Sequence, residues 1–113
     1  MEVHGRVQAA EKKGIGRLTE LLVEAAQPKR IILFGSHARG DATEDSDIDI
    51  MVVEENTPDR LKEMVRLNRL LRSLDVGIDL LVVSEEKFNY WRDTPGNVYF
   101  EAASEGEVLY EAA

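Results

Sequence analysis

Two short groups of polar residues, ten positions apart, have the chemistry to handle a phosphate. Gly35 and Ser36 follow an apolar run of four residues, and Asp47 and Asp49 lead into another. Gly35 lets the backbone turn and approach a ligand closely because it has no Cβ. Ser36 offers a hydroxyl and a predicted helix N-cap, where exposed N–H groups suit a phosphate. This stretch therefore predicts a phosphate-binding turn.

The two aspartates are predicted to hold a divalent cation. Residues two apart on a strand point to the same face, so Asp47 and Asp49 are expected side by side. Carboxylates in that position repel each other unless a cation lies between them. Hard divalent ions such as Mg²⁺ take oxygen ligands of this kind. Turn and aspartates together predict metal-assisted handling of a nucleotide phosphate.

A third carboxylate extends this prediction. Asp79 is the one charged residue in the apolar run at residues 76–83. A lone carboxylate in such a strand is costly to bury unless it is paired, hydrogen-bonded or bound to a metal. The alternative is an aspartate on an edge strand that faces water. Three aspartates on paired strands would converge on one or two cations, as in two-metal sites.

Other residues have both a chemical and a purely structural interpretation. Arg39 either neutralises phosphate charge or forms a surface ion pair with Asp41 or Asp45, and His37 is predicted to face solvent. Three cations at helical spacing indicate a solvated helix face or, alternatively, a site for an acidic or nucleic-acid partner: Lys62, Arg66 and Arg69. Four aromatic residues are predicted to face the core, and any exposed ones to mark a protein interface: Tyr90, Trp91, Tyr99 and Phe100.

The pattern of apolar and turn residues predicts alternating helices and strands around these groups. Helices are expected at residues 15–26, 36–40, 58–74, 85–93 and 97–104, and strands at residues 31–34, 47–53, 76–83 and 108–110. Pro58 is predicted to begin the third helix with Thr57 as its cap, and Ser84 to cap the fourth. The order predicts an α/β fold, a small mixed sheet with helices packed on it. We expect one domain over residues 1–113, whose polar first 13 residues form a ragged N-terminal segment.

Composition narrows the class of protein. The chain has 22 acidic and 14 basic residues and a formal net charge of -8, which disfavours nucleic acid as a partner because such proteins usually present positive surface to phosphates. The sequence shows no long apolar run and no basic-then-apolar leader, so neither a membrane span nor a secretory signal is expected. The lack of cysteine fits a cytoplasmic location.

The motifs resemble those of a known family. Gly35-Ser36, ten intervening residues, Asp47-Ile48-Asp49 and the later Asp79 are similar to the signature of the nucleotidyltransferase superfamily that includes DNA polymerase β. Residues 35–40 and 46–50 further resemble the minimal nucleotidyltransferases of prokaryotes, which are often encoded beside a HEPN-domain partner as a toxin–antitoxin pair. The likeness extends from the helix near residue 15 to residue 111. It implies a fold like the polymerase β palm.

The resemblance also implies roles for individual residues. Asp47 and Asp49 would bind Mg²⁺ and through it the triphosphate of ATP. Asp79 would complete the metal site and help to activate the incoming hydroxyl as a general base. Gly35 and Ser36 would hold the β- and γ-phosphates, with Arg39 beside them.

Three functions remain open on this basis. The first is transfer of AMP from ATP to a hydroxyl of a protein, a tyrosine of the HEPN-type toxin, which would make the chain its antitoxin. The second is a non-catalytic antitoxin that neutralises the toxin by binding alone, against which the three costly strand carboxylates argue. The third is nucleotidyl transfer to a small molecule, which usually calls for an additional domain to form the acceptor pocket, although a homo-oligomer such as a homodimer could supply one.

Overall fold

The structure, a computed structural model, describes residues 14–113, in which helices cover both faces of a four-stranded sheet. The segment predicted to be ragged, residues 1–13, lies outside the described residues. The helices are α1 (Ile15–Ala26), α2 (Ser36–Arg39), α3 (Arg60–Leu71, extended by a 3-10 turn at Arg72–Leu74), α4 (Glu85–Trp91) and α5 (Val98–Glu105). The strands are β1 (Arg30–Phe34), β2 (Ile48–Glu54), β3 (Ile78–Ser84) and β4 (Glu107–Glu111). The predicted mixed α/β fold is confirmed.

The sheet has the strand order β3-β2-β1-β4. Strand β1 is antiparallel to both β2 and β4, whereas β2 and β3 are parallel. A parallel pair needs a crossover connection, and α3 provides it. Because of these directions, β2 and β3 begin where β1 ends. We call this the aspartate end of the sheet, since Asp49 and Asp79 both lie there.

Alternation along β2 divides the core between two faces. Ile48, Ile50 and Val52 pack with apolar residues of α1 and α3, including Leu22 and Leu67. Met51 and Val53 point to the other face and pack with residues of α4 and α5. Because side chains alternate along a strand, Asp49 belongs to the face covered by α4 and α5. Burial on both sides fixes the register of β2, since a slip of one residue would turn Asp49 into the core.

Several predicted boundaries are wrong by one or two residues, and one cap is wrong. Helix α3 begins at Arg60, and its N-cap is Asp59, whose side chain accepts a hydrogen bond from the Lys62 N–H at 3.1 Å. Thr57 and Pro58 therefore precede the helix. An aspartate competes effectively for this position because its carboxylate satisfies a free N–H of the first turn. The predicted Ser84 cap is confirmed, since Ser84 accepts from the Lys87 N–H at 3.2 Å.

The prediction for the aromatic residues is wrong in part. Tyr90 is 73% exposed and Trp91 41% exposed, and the two rings pack edge to face with centroids 4.9 Å apart. Tyr99 and Phe100, in contrast, are partly buried. Among residues 14–113, no helix has both the length and the apolar character needed to cross a bilayer.

Candidate active site

Asp49 and Asp79 lie next to each other on neighbouring strands. They are direct partners in the parallel register of β2 and β3, and Phe34 at the end of β1 is the partner of Asp49 on the other side. Partners in register point to the same face, and neighbouring strands are about 4.8 Å apart. Two residues of the same charge, separated by 30 positions in sequence, are thus brought together at the aspartate end.

Asp47 reaches the same place from just outside the strand. Strand β2 begins at Ile48, so the predicted start at residue 47 is wrong by one residue. The Ile48 N–H donates to the Gly77 carbonyl at 2.9 Å, which ties the start of β2 to the segment before β3. A Cβ built on Gly77 would overlap the Asp47 carboxylate. Gly77 therefore makes room for Asp47, a role that sequence reasoning missed.

Gly35 plays the same part for Asp49. It is the N-cap of α2 with φ 74° and ψ -153°, a backbone conformation that favours glycine. A Cβ at this position would overlap the Asp49 carboxylate. Ser36 is the first residue of α2, so its predicted role as N-cap is wrong. The predicted phosphate turn and the predicted metal ligand are thus in direct contact.

The carboxylates at this end influence one another electrostatically. The pKa of Asp49 is raised, first by burial and then by the nearby negative charges of Asp79, Glu101 and Asp47, while His37 opposes the shift. A raised pKa means that the ionised form of Asp49 is disfavoured in the protein without a counter-ion. Glu101 of α5, a second residue that sequence reasoning missed, belongs to this group of charges.

The donor atoms at the aspartate end fit a hard divalent cation that arrives with a phosphate. The three aspartates offer only oxygen ligands. Of the charged groups that influence the pKa of Asp49, only His37 favours the ionised form of its carboxylate. Within residues 14–113, however, no group of three or more acidic, imidazole or thiol side chains is arranged so that it could hold a metal ion by itself. Mg²⁺ does not need such a group, because it usually binds through one or two carboxylates, waters and substrate phosphates.

Arg39 connects α2 to α5. Its Nε lies 3.4 Å from Asp41 Oδ2, and its Nη1 lies 3.4 Å from Glu101 Oε2 and 3.7 Å from Glu105 Oε1. These carboxylates, Asp41 foremost, raise the pKa of the Arg39 guanidinium. The predicted ion pair with Asp41 is confirmed. Contact of Arg39 with a phosphate stays a prediction.

The prediction that His37 faces solvent is wrong. The side chain is buried, with 2% of its surface exposed, and its Nε2 lies 3.2 Å from the Ser46 carbonyl oxygen. The second ring nitrogen, Nδ1, is buried without a partner among the described residues. The ring points inward because α2 is a single turn whose residues 37 and 38 both face the protein. His37 thus fastens the loop before Asp47 to the turn at Gly35.

The cations of α3 lie on its outer side, as one of the two sequence interpretations predicts. Lys62, Arg66 and Arg69 are all exposed. Arg66 is held by Glu63 at 2.8 Å and donates to the Ala25 carbonyl at 3.0 Å, which joins α3 to α1.

Comparison with known proteins identifies the family. The model of the family described as "Polymerase beta, Nucleotidyltransferase" matches residues 17–113. The chain belongs to this nucleotidyltransferase family. The resemblance seen in the motifs is therefore confirmed, and the chain is an enzyme of the nucleotidyltransferase class. The fold and the convergence of Asp49 with Asp79 agree with that membership.

Two relatives of this nucleotidyltransferase carry more specific names. A Methanocaldococcus jannaschii protein named as a protein adenylyltransferase is 43% identical over 82 residues, which cover 73% of this chain and 78% of the relative. The protein adenylyltransferase MntA of Thermococcus cleftensis is 42% identical over 60 residues, which cover 52% of this chain and 60% of MntA.

Solved structures share the fold of this nucleotidyltransferase. A toxin–antitoxin structure with AMP-PNP has a TM-score of 0.61 and 25% identity, covering 86% of this chain and 73% of the other. A complex of tri-AMPylated HEPN toxin with MNT antitoxin from Shewanella oneidensis has a TM-score of 0.56 and 21% identity, covering 88% and 73%. The second likeness concerns the fold alone.

Proposed function

We propose that this nucleotidyltransferase uses Mg²⁺ and transfers AMP from ATP to a hydroxyl of a protein partner, a tyrosine of a HEPN-type toxin, and so acts as its antitoxin. The observation that carries the proposal is the in-register pair Asp49 and Asp79 beside Gly35, with Asp47 directly before β2. The names of the relatives and the toxin–antitoxin structure with AMP-PNP support the choice of an adenine nucleotide and a protein acceptor.

The residues would divide the reaction between them. The acceptor hydroxyl oxygen attacks the α-phosphorus of ATP, its proton passes to the Asp79 carboxylate, and the bond to the β-phosphate oxygen breaks so that pyrophosphate leaves. Gly35 and Ser36 would hold the β- and γ-phosphates in line with the attack, which is mainly a matter of positioning. Mg²⁺, held by Asp47 and Asp49, would offset the charge that develops on the phosphate oxygens.

A protein acceptor fits the size and charge of the chain. The described residues form one sheet with its helices and no additional helical unit that could grip a nucleic-acid strand. The net charge of -8 also opposes a polyanionic acceptor. A protein that brings its own hydroxyl to the aspartate end needs no such helical unit, and it is not repelled as a polyanion would be.

The test is transfer of AMP in a defined mixture. The chain is incubated with Mg²⁺, labelled ATP and the HEPN-domain protein encoded beside it, and the partner is weighed by mass spectrometry. We expect the partner to gain the mass of AMP on a tyrosine, and chelation of the metal to stop the gain. If the partner is bound and neutralised without any gain in mass, neutralisation by binding alone is the correct function.

Three substitutions test the assigned roles. Asp47→Asn and Asp49→Asn should lower transfer by at least about 100-fold, since each removes a charged ligand of the cation that would offset negative charge on the phosphate oxygens in the transition state. Asp79→Asn should lower the rate while binding of ATP is largely kept, because the hydroxyl loses its base. The control is Asp45→Asn, an exposed carboxylate in the same loop. Transfer at the wild-type rate in either of the first two variants would overturn the metal-site assignment.

A further inference from the structure

Basic residues are concentrated on one helix of an otherwise acidic chain. Residues 60–72, which form α3 and the start of its 3-10 turn, contain five of the 14 Lys and Arg residues and one acidic residue. The other 100 residues contain nine basic and 21 acidic ones. Such separation of charge on a small protein gives α3 a local field of opposite sign to the rest of the surface.

Apolar side chains lie among these cations on the outer side of α3. Leu61 is 67% exposed and Val65 56% exposed, and their i, i+4 spacing places them next to each other. They line a shallow cleft of about 540 Å³, together with one acidic and three basic residues: Asp59, Lys62, Arg66 and Arg69. Leu67 and Leu71 already anchor α3 to the core. Leu61 and Val65 therefore contribute little to the packing of the helix, and large apolar side chains grouped in this way mark interaction surfaces.

The cations beside the apolar pair are available to a partner. Arg66 is engaged by Glu63 and the Ala25 carbonyl, whereas Lys62, Arg69 and Arg72 form no ion pair with any residue of the described range 14–113. We define the α3 patch as Leu61, Lys62, Val65, Arg69 and Arg72. It has an apolar centre and an unpaired basic rim, an arrangement typical of protein interfaces.

We infer that the α3 patch is the docking surface for the acceptor protein, which meets it with an acidic surface around an apolar centre. The inference rests on the proposed function for the identity of the partner. Complementary charge is the argument for an acidic occupant. A second copy of this chain is disfavoured, because a two-fold contact brings the same patch of both copies together and would place Lys62 and Arg69 against their own counterparts. A nucleic acid would leave Leu61 and Val65 without a function.

The position of the helix connects the patch to the proposed chemistry. Helix α3 begins beside Glu54 at the end of β2 away from the aspartates, and its 3-10 turn leads through Asp75 and Val76 to Gly77. Gly77 lies against the Asp47 carboxylate. A protein seated along α3 lies on the face of the sheet opposite Asp49 and Asp79, so it would have to extend past the C-terminal end of the helix to bring a hydroxyl to the aspartate end.

The experiment measures binding and transfer separately, with the HEPN-domain protein encoded beside this chain as the probe. The test variants are Val65→Asp and the double charge reversal Lys62→Glu/Arg69→Glu. The matched controls are Val108→Asp, which alters a valine of similar exposure (54%) on β4, and Lys87→Glu on α4. Calorimetry gives the Kd, mass spectrometry the AMP transfer, and a fluorescent ATP analogue with Mg²⁺ the binding of nucleotide.

We expect both test variants to raise the Kd at least 10-fold and to lower transfer in proportion at subsaturating partner. Their melting temperature and nucleotide binding should stay at the wild-type values. The Kd of the wild type should rise with salt, and that of the charge-reversed variant should rise less. The controls should bind like the wild type. Weaker partner binding in the test variants supports docking on the α3 patch even if no AMP is transferred. The experiment can therefore contradict the docking surface without contradicting AMP transfer, and the reverse.

Three results would overturn the inference. The first is a Kd within twofold of the wild-type value in both test variants. The second is a homodimer, seen by analytical ultracentrifugation of the chain alone, that the test substitutions dissociate while partner binding is kept. The third is binding of a single- or double-stranded RNA oligonucleotide that the charge reversal abolishes while partner binding is kept.

Discussion

At the scale of single residues, two glycines leave the space that two carboxylates occupy. Gly35 and Gly77 come from different segments, and each lies so close to an aspartate that a Cβ would overlap its carboxylate. The two positions differ in how strictly the backbone requires glycine. Gly35 also has a positive φ, whereas Gly77 has a backbone conformation that other residues adopt, so a substitution at Gly77 affects the Asp47 side chain with little backbone strain.

The variant Gly77→Ala should therefore act through Asp47. We expect transfer to fall by about tenfold or more, because the new methyl group displaces a carboxylate that needs accurate placement. We also expect a modest loss of stability, of about 1 kcal/mol, from overpacking. Steady-state AMP transfer and urea unfolding measure the two effects.

A double-mutant cycle isolates the contact. In an Asp47→Ala background the carboxylate is absent, so Gly77→Ala should no longer lower stability. An equal loss of stability in both backgrounds would show that the methyl group collides with something other than Asp47.

The outcome at these residues shows what sequence reasoning can reach. The closeness of Asp49 and Asp79 was predictable because a charge within an apolar strand stands out in the sequence and has few inexpensive explanations. The roles of His37 and Gly77 were not. The burial of His37 depends on the loop that ends at Ser46, and the close approach of Gly77 depends on how two strands pair. Neither is a property of neighbouring residues in the sequence.

At the scale of elements, the start of α3 offers a direct comparison between the sequence prediction and the structure. Asp59→Ala should cost about 1 kcal/mol of unfolding free energy, since it removes the side chain that caps the Lys62 N–H. Thr57→Val should lower the unfolding free energy much less, because the buried Thr57 hydroxyl does not cap α3 and has no hydrogen-bond partner of good geometry among the described residues. Urea denaturation of both variants measures the difference. A larger loss for Thr57→Val than for Asp59→Ala would contradict this expectation.

The elements themselves were largely predictable, whereas their arrangement was not. Apolar spacing predicts α1 and the four strands to within two residues, because burial dictates that spacing. The parallel pairing that sets Asp79 beside Asp49 depends on the crossover through α3 and on the order of the strands in the sheet. The sequence predicts that the three aspartates converge. Only the structure shows that Asp49 pairs with Asp79 and that Asp47 lies against Gly77.

At the scale of the whole molecule, one buried acid should shape the pH dependence of stability. Glu54 is 8% exposed, and its pKa is raised from 4.5 to about 8, first by burial and then by the adjacent Glu63 carboxylate. Between those two pH values the native protein holds a proton that the unfolded chain releases. The free energy of unfolding should therefore fall as pH rises from about 4.5 to about 8, by at most about 1.4 kcal/mol per pH unit for one proton.

The variant Glu54→Gln should remove this contribution. We expect it to be more stable than the wild type at pH 9, where Glu54 is ionised, and similar to the wild type near pH 4. Thermal unfolding across this range provides the measurement. Glu55→Gln is the control, since Glu55 is exposed and only loosely paired with Lys29 at 3.8 Å. Parallel stability profiles for Glu54→Gln and the wild type would contradict the assignment.

The in-register pair of Asp49 and Asp79 has a consequence for the motions of the molecule. Like charges directly opposite each other on neighbouring strands weaken their pairing, so the sheet should open most readily at the aspartate end, where we propose that the reaction takes place. Local opening of this kind exposes amide protons to exchange with solvent. A cation bound between the two carboxylates would join the strands, so that the amides near the start of β2 and β3 exchange more slowly. Binding of the cation would then stabilise the sheet at the aspartate end against local opening.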